Sequence, residues 1–240
     1  MGHVRSLHNI RIFGKVVKLS VSVLIFAVCS ILLWRVFTSG DPKEVSRLMV
    51  NEHTKAAYDT HGENMKMRFQ GQYSITLGET NRGYFAVTQS VFIPQADQVQ
   101  IVFRYNNSTI KNLAKDYNLP EVPSKDSELF DVTLVRTNDA TPENRSDNFD
   151  TSTLELTRYY PTDCIRHTTA LYTYYRFIFD GVVLEDNTVG VFADIYYVED
   201  IDYEKTPYGS LCLYDDQSPW MAYTLTKEDI AALQSYGKED

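Results

Sequence analysis

The sequence predicts a mainly β protein: an antiparallel β-sandwich with two short helices, preceded by one transmembrane helix and a juxtamembrane helix. Three observations carry that expectation. An uncharged apolar run lies between Lys18 and Arg35. Hydrophobic spacing is helical up to about residue 62 and has a period of two from Met65 onward. No helical crossover separates the period-two segments, which favours antiparallel pairing. The expected organisation is a cytoplasmic tail over 1–15, a transmembrane helix over 16–37, a juxtamembrane helix or stalk over 38–62 and an extracytoplasmic domain over 63–240.

The sixteen uncharged residues after Lys18 would make roughly 24 Å of helix at about 1.5 Å per residue, against a hydrocarbon core of about 30 Å. Val16, Val17, Val36 and Phe37 extend the run on both sides. Lys18 and Arg35 can lift their charges to the two interfaces, and Trp34 sits where an interfacial aromatic belongs. A cleaved signal ending at Thr38-Ser39-Gly40 is the first alternative, but this run is too long for one and carries Arg35. A lipoprotein-type signal ending at Cys29 is the second; Val28 suits the position before such a cysteine poorly, and the run continues past it. No polar face interrupts the segment, which excludes a soluble core helix. Arg5, Arg11, Lys15 and Lys18 precede the span, and Arg35, Lys43 and Arg47 follow, so the positive-inside rule places the N-terminus in the cytoplasm.

The chain carries a net charge of −9, while residues 1–35 hold five cations and no acid, which leaves −14 on the remainder. An acidic body of this kind lacks the basic footprint that a phosphate backbone requires, so nucleic acid is excluded as a partner.

After the span, Asp41-Pro42-Lys43-Glu44 reads as a helix start, with Asp41 as cap and Pro42 in the first helical position. Val45, Leu48, Met49, Glu52 and Ala56 continue a helical face to about Tyr58, and Gly62 is the expected stop. Ten strands follow from alternation and β-branched or aromatic content: Met65–Gln70, Gln72–Leu77, Gly83–Val91, Gln98–Asn106, Phe130–Thr137, Thr153–Tyr160, Ala170–Gly181, Val189–Val198, Gly209–Tyr214 and Met221–Leu225. Turns are expected at Gly78–Asn81, Pro94–Asp97 and Glu185–Thr188, and an exposed polar loop over 138–151. Ser108–Leu119 has a serine cap and apolar Ile110, Leu113 and Tyr117 at helical spacing; a last helix opens at Thr226 and ends at Gly237.

Chemistry-bearing patterns are sparse. No HExxH, GxSxG, P-loop, GxGxxG or CxxC pattern occurs. His167 is the one histidine within the 63–240 domain, and at i,i+3 from Cys164 on an extended strand it points to the opposite face, so no Cys–His dyad is expected. Cys164 and Cys212 either pair as a disulfide in an oxidising space or stand apart as small hydrophobes. Asp200, Asp202 and Glu204 fall at alternate positions in DIYYVEDIDYE and could gather a hard cation, although an exposed acidic strand end explains the same pattern. Asp215-Asp216 is a weaker feature of the same kind. Three Asn-x-Ser/Thr triplets begin at Asn106, Asn107 and Asn144; the first two also suit a strand end leading into a helix cap.

Aromatic content is the last feature. LYTYYRFIFD puts aromatic rings on both faces of one strand. One set belongs to the core, and Tyr172, Tyr174 and Tyr196 are candidates for a binding face toward sugar rings or a protein, unless the strand is central and covered on both faces by helices or loops. No cofactor is implied.

RYNNSTIKNLAKDYNL, ELFDVTLVRTND, VGVFADIYYVEDIDY and YGSLCLY resemble pieces of an uncharacterised group of membrane-anchored proteins of Gram-positive bacteria. The resemblance spans most of residues 60–235. It implies a bacterial plasma membrane and accidental sequons, and it carries no functional residue. Together these readings lead to the expectation of a single-pass membrane protein whose partners are the bilayer, through residues 16–37, and an envelope protein or glycan. Its role would be binding or scaffolding at the cell envelope, as an accessory subunit of a larger assembly. The alternative is a surface hydrolase acting on wall polymers through carboxylates in the Asp194–Asp216 region.

Overall fold

The computed structural model describes residues 2–38, 41–65, 67–70, 73–76, 84–138, 156–184, 188–202, 207–215 and 221–238. The chain divides into two compact units, Met1–Asp41 and Pro42–Asp240. The first is a single helix, α1 (Gly2–Thr38), within which Lys15–Trp34 is long and apolar enough to cross a membrane.

The second unit is mostly β. Its strands are β1 (Met67–Gln70), β2 (Tyr73–Thr76), β3 (Tyr84–Ile93), β4 (Gln98–Asn106), β5 (Phe130–Thr137), β6 (Leu156–Tyr159), β7 (Asp163–Thr168), β8 (Tyr172–Asp180), β9 (Gly190–Tyr197), β10 (Gly209–Asp215) and β11 (Met221–Tyr223). Its helices are α2 (Lys43–Ser46), α3 (Glu52–His61), α4 (Thr109–Asp116) and α5 (Lys227–Ser235). Two antiparallel sheets result. The larger runs β11-β1-β3-β4-β8-β7, with β2 also on β3; the smaller runs β10-β9-β5-β6.

Register explains how four-residue strands survive. Phe69 faces Val91 and Tyr73 faces Val87, so β1 and β2 continue one another along the same side of β3. The β3–β4 ladder shifts by one residue between Val87 and Gln89, a bulge that exchanges the two faces of β3 beyond Thr88. Phe85 and Val87 before the bulge, and Phe92 after it, therefore reach the same hydrophobic cluster. That cluster takes one face of each sheet: Ile101, Phe103 and Phe177 from the larger, Val132, Leu134 and Ile195 from the smaller. Its rings stack or meet edge to face, as Phe85 does with Phe103 at 5.6 Å and with Phe130 at 5.0 Å.

All ten expected strands have a counterpart, and the structure adds β7. Its DCIRHT sequence is polar and lies at the sheet edge, where no alternation is imposed. Pro94–Ala96 forms a 3-10 turn closed by Asp97 at φ 46°. The turn expected at Gly78–Asn81 and residues 185–187 and 139–151 lie outside the described residues. α5 carries a reciprocal cap: Asp229 N–H donates to Thr226 Oγ1 at 3.1 Å, and Thr226 N–H donates to Asp229 Oδ2 at 2.9 Å.

Residues 41–62 differ from the single helix expected there. α2 has four residues, with Pro42 rather than Asp41 in the capping position, and it stops at Arg47, whose backbone is extended. The chain stays non-helical to Asn51, which caps α3 by accepting the Thr54 N–H at 3.0 Å; α3 then ends at Gly62, φ 58°. The break has a tertiary cause: groups from the sheet and from α5 take up the main-chain partners that a continuous helix would have used.

Candidate functional site

The face of the larger sheet turned away from the shared cluster carries Gln98, Gln100 and Val102 on β4 and Tyr174, Arg176, Ile178 and Asp180 on β8, brought side by side by the β4–β8 register. Residues 42–61 lie across it as a strap. Val45 is fully buried against Val102 and Tyr174. Leu48 is buried with Met65, Met67, Val91, Ile93 and Leu233. Burying two such side chains stabilises by about 1.5–3 kcal/mol each at most.

At and just after those anchors the strap is also held by its backbone. Met49 N–H donates to Gln100 Oε1 at 3.0 Å, and Gln100 Nε2 donates to the Met49 carbonyl at 2.7 Å. Arg176 Nη1 donates to the Val45 carbonyl at 2.9 Å. Leu48 N–H donates to Asp229 Oδ1 at 3.0 Å. Side chains that bind main chain in this way read the extended shape and not the residue type, apart from the two apolar anchors.

The network beneath is saturated. Gln100 Oε1 also accepts from Arg176 Nε at 3.0 Å, and Gln100 Nε2 also donates to Gln98 Oε1 at 2.7 Å, so the amide uses two donors and two acceptor sites. Gln98 Nε2 donates to Asp180 Oδ1 at 2.8 Å and to Asn51 Oδ1 at 3.0 Å. Asn51 Nδ2 donates to Asp180 at 3.1 Å, and Thr162 Oγ1 does so at 2.6 Å. Buried polar groups persist only when partnered like this. Burial alone would raise the Asp180 carboxyl, but the bonds from Thr162, Gln98 and Asn51 outweigh it and hold the group below the usual carboxylate range. Asp229 is alike: burial opposes ionisation, and donors from Thr226, Tyr223 and Leu48 keep its carboxyl low. Tyr223, half-buried and donating to Asp229 at 2.8 Å, is correspondingly raised by desolvation and by that carboxylate.

A second polar group sits on the outer face of the smaller sheet. Ser210, Asp194 and Thr133 form one rung across β10, β9 and β5. Ser210 Oγ donates to Asp194 Oδ1 at 2.6 Å. Arg158 donates to Thr133 Oγ1 at 2.7 Å and to the Tyr196 hydroxyl at 3.0 Å, and lies 3.7 Å from Asp194 Oδ2.

The residues singled out from sequence are dispersed. Tyr172 and Tyr174 are neighbours on the outer face of the larger sheet, 6.1 Å apart, with Arg104 stacked over both; Tyr196 is on the smaller sheet under Arg158. Tyr174 and Tyr196 are buried, so the three do not form one exposed platform. Cys164 is on the edge strand β7 and Cys212 on β10 of the other sheet, both as free thiols; Cys212 Sγ lies 3.3 Å from the Tyr214 carbonyl. Cys164 faces Phe177 in register while His167 faces Tyr174, which puts the two on opposite sides of β7. Asp200 is exposed at the end of a 3-10 turn, Asp202 is half-buried, and Glu204, Asp216 and Asn144 lie outside the described residues. No cluster of three His, Cys, Asp or Glu side chains able to hold a metal occurs among the described residues. Asn106 Oδ1 accepts the Ser108 N–H at 2.9 Å at the start of α4, and Asn107 Nδ2 donates to the Thr169 carbonyl at 2.9 Å.

Sequence reasoning missed the clamp itself. Its trace was present: Gln98 and Gln100 alternate within an otherwise apolar strand, and Arg176 interrupts an aromatic one. Two clefts open beside the strap. One, of about 440 Å³, is lined by Lys43 of α2, Arg47 just after it, and Thr226 and Glu228 at the start of α5, with Tyr223 and Asp229 also lining it. The other, of about 250 Å³, is lined by His53, Thr60 and His61 of α3 and by Gln95 and Asp97.

No protein-family model, curated protein or solved structure matches this chain.

Proposed function

We propose that this chain is a membrane-anchored, extracytoplasmic binding or scaffolding protein of the cell envelope. In this reading residues 16–37 cross the bilayer with the N-terminus in the cytoplasm, and residues 63–240 form a two-sheet sandwich that presents a surface to an envelope protein or glycan. The observation that carries it is the strap. The residues that follow the apolar helix are not a free stalk but are clamped to the larger sheet from Val45 to Asn51. Such a clamp suits a module whose position near its anchor matters more than its reach. The shared hydrophobic cluster supports the sandwich, because each sheet buries one face in it.

Topology is tested with two engineered thiols in the full chain after Cys29, Cys164 and Cys212 are replaced by serine, Ser6→Cys in the tail and Lys125→Cys in an exposed loop. A membrane-impermeant maleimide should label Lys125→Cys on intact cells and Ser6→Cys only after lysis. The reverse pattern, or carbonate release of a chain lacking its first forty residues, would overturn the reading.

A further inference from the structure

The larger cleft carries opposite charge on its two walls. Lys43 opens α2 and Arg47 follows its last residue, and both line the cleft, with Arg47 Nε donating to the Lys43 carbonyl at 3.2 Å. Neither has a carboxylate partner within 4.0 Å among the described residues, although the unit around them is strongly acidic. The facing wall is the first turn of α5. There the Asp229 carboxylate is committed to Leu48, Tyr223 and Thr226, whereas Glu228 is exposed and in no ion pair among the described residues. Two cations and a carboxylate, none in an ion pair among the described residues, line one cleft and fit neither a simple anion, which Glu228 would repel, nor a simple cation, which Lys43 and Arg47 would repel. They fit a ligand that carries both signs a few bonds apart.

We propose that this cleft binds an aminoalkyl phosphodiester, its phosphate against Lys43 and Arg47 and its ammonium against Glu228. Arginine and lysine together supply a forked donor and a point charge for phosphate oxygens. At about 440 Å³ the cleft is of the size that holds a small ligand. Lys43 follows the last residue of α1 by only five positions, so a phospholipid headgroup is one source of this chemistry and a free phosphodiester the other. The lipid source rests on the membrane reading above; the soluble source does not.

The test uses the full chain in non-ionic detergent, titrated calorimetrically with glycerophosphoethanolamine, glycerophosphocholine and inorganic phosphate. Saturable binding is expected for glycerophosphoethanolamine, several-fold tighter than for the choline form, whose quaternary nitrogen donates no hydrogen bond. Arg47→Ala should weaken it at least tenfold, and Glu228→Gln should abolish the preference for the primary amine. Both residues are exposed, so an unchanged unfolding midpoint is expected, and Lys43→Gln supplies a third variant. Nanodiscs of phosphatidylcholine with and without phosphatidylethanolamine separate the sources. Slower amide exchange in α2 and α5 that requires the ethanolamine lipid assigns the headgroup; soluble binding without that effect assigns the free phosphodiester. Absence of both effects, or effects that the three variants leave unchanged, would overturn the proposal. Loss of the nanodisc effect alone would count against the lipid source and not against the cleft, and failure of the membrane reading would show instead in the thiol labelling.

Discussion

Gln100 and Met49, fifty-one positions apart in the chain, are joined by two hydrogen bonds that together satisfy the Met49 backbone: N–H to Oε1 at 3.0 Å and Nε2 to carbonyl at 2.7 Å. A strand side chain thus does for the strap what a neighbouring strand would do. Replacing Gln100 with leucine keeps the volume but strands both Met49 groups and Arg176 Nε. The expected loss is about 1–3 kcal/mol, read from urea unfolding, with faster exchange of the Met49 amide.

Arg176 connects the strap carbonyl of Val45 to the floor of the network through Gln100 and Gln89. Arg176→Met should cost about 3 kcal/mol, because it leaves buried acceptors without donors. Arg176→Lys should recover only part of this, since an ammonium cannot reproduce the forked geometry. Comparing the two unfolding midpoints separates charge from shape.

Leu48 sits among apolar side chains from β1, β3 and α5. Leu48→Ala should destabilise by about 2–5 kcal/mol, whereas Arg47→Ala next to it, at an exposed position, should stay within about 0.5 kcal/mol. Equal effects would mean that the strap is not seated as described.

Acid should loosen the strap. The folded Asp180 and Asp229 carboxyls lie below their ordinary value of 3.8. Their contribution is therefore fully present above the unfolded carboxylate range and is lost as pH falls through the depressed folded values. Stability should be flat from neutral pH to about pH 5 and fall below about pH 4. Asp229→Asn should be less stable at neutral pH and show a shallower acid limb in unfolding curves.

The Cys164 thiol should be slow. Cys164 is exposed as a residue on the edge strand, but desolvation of the thiol on the side of β7 that pairs with Phe177, with Glu128 and Asp163 adding negative potential, pushes it up to about 12. Thiolate is then scarce near neutral pH, and iodoacetamide labelling should rise about tenfold per pH unit well past pH 9. An engineered Lys125→Cys should react at the rate of a free thiol and level off near its own pKa.

Much of the scaffold was legible in the residues themselves. Apolar alternation in QVQIVF and VGVFADIYY marked strands because one face of each is buried, and burial imposes a period of two. β7 escaped because its edge position leaves Asp163, Arg166 and His167 free of that constraint. The break after α2 escaped because the local pattern Val45, Leu48, Glu52 is a sound helical one. The helix yields only where Gln100, Arg176 and Asp229 supply the main chain with other partners.

The sequence by itself therefore determined the apolar helix, the β class, most strand positions and the helix ends at Thr226 and Gly62. These depend on neighbours within a few residues, and solvent exposure or burial acts on them directly. Only the tertiary structure decided which face each tyrosine occupies, that Cys164 and Cys212 lie on different sheets, and that Val45 meets Arg176 across 131 positions. Such pairings are set by the register of whole sheets, where a shift of one residue turns every side chain to the other face, and no local stretch records that choice.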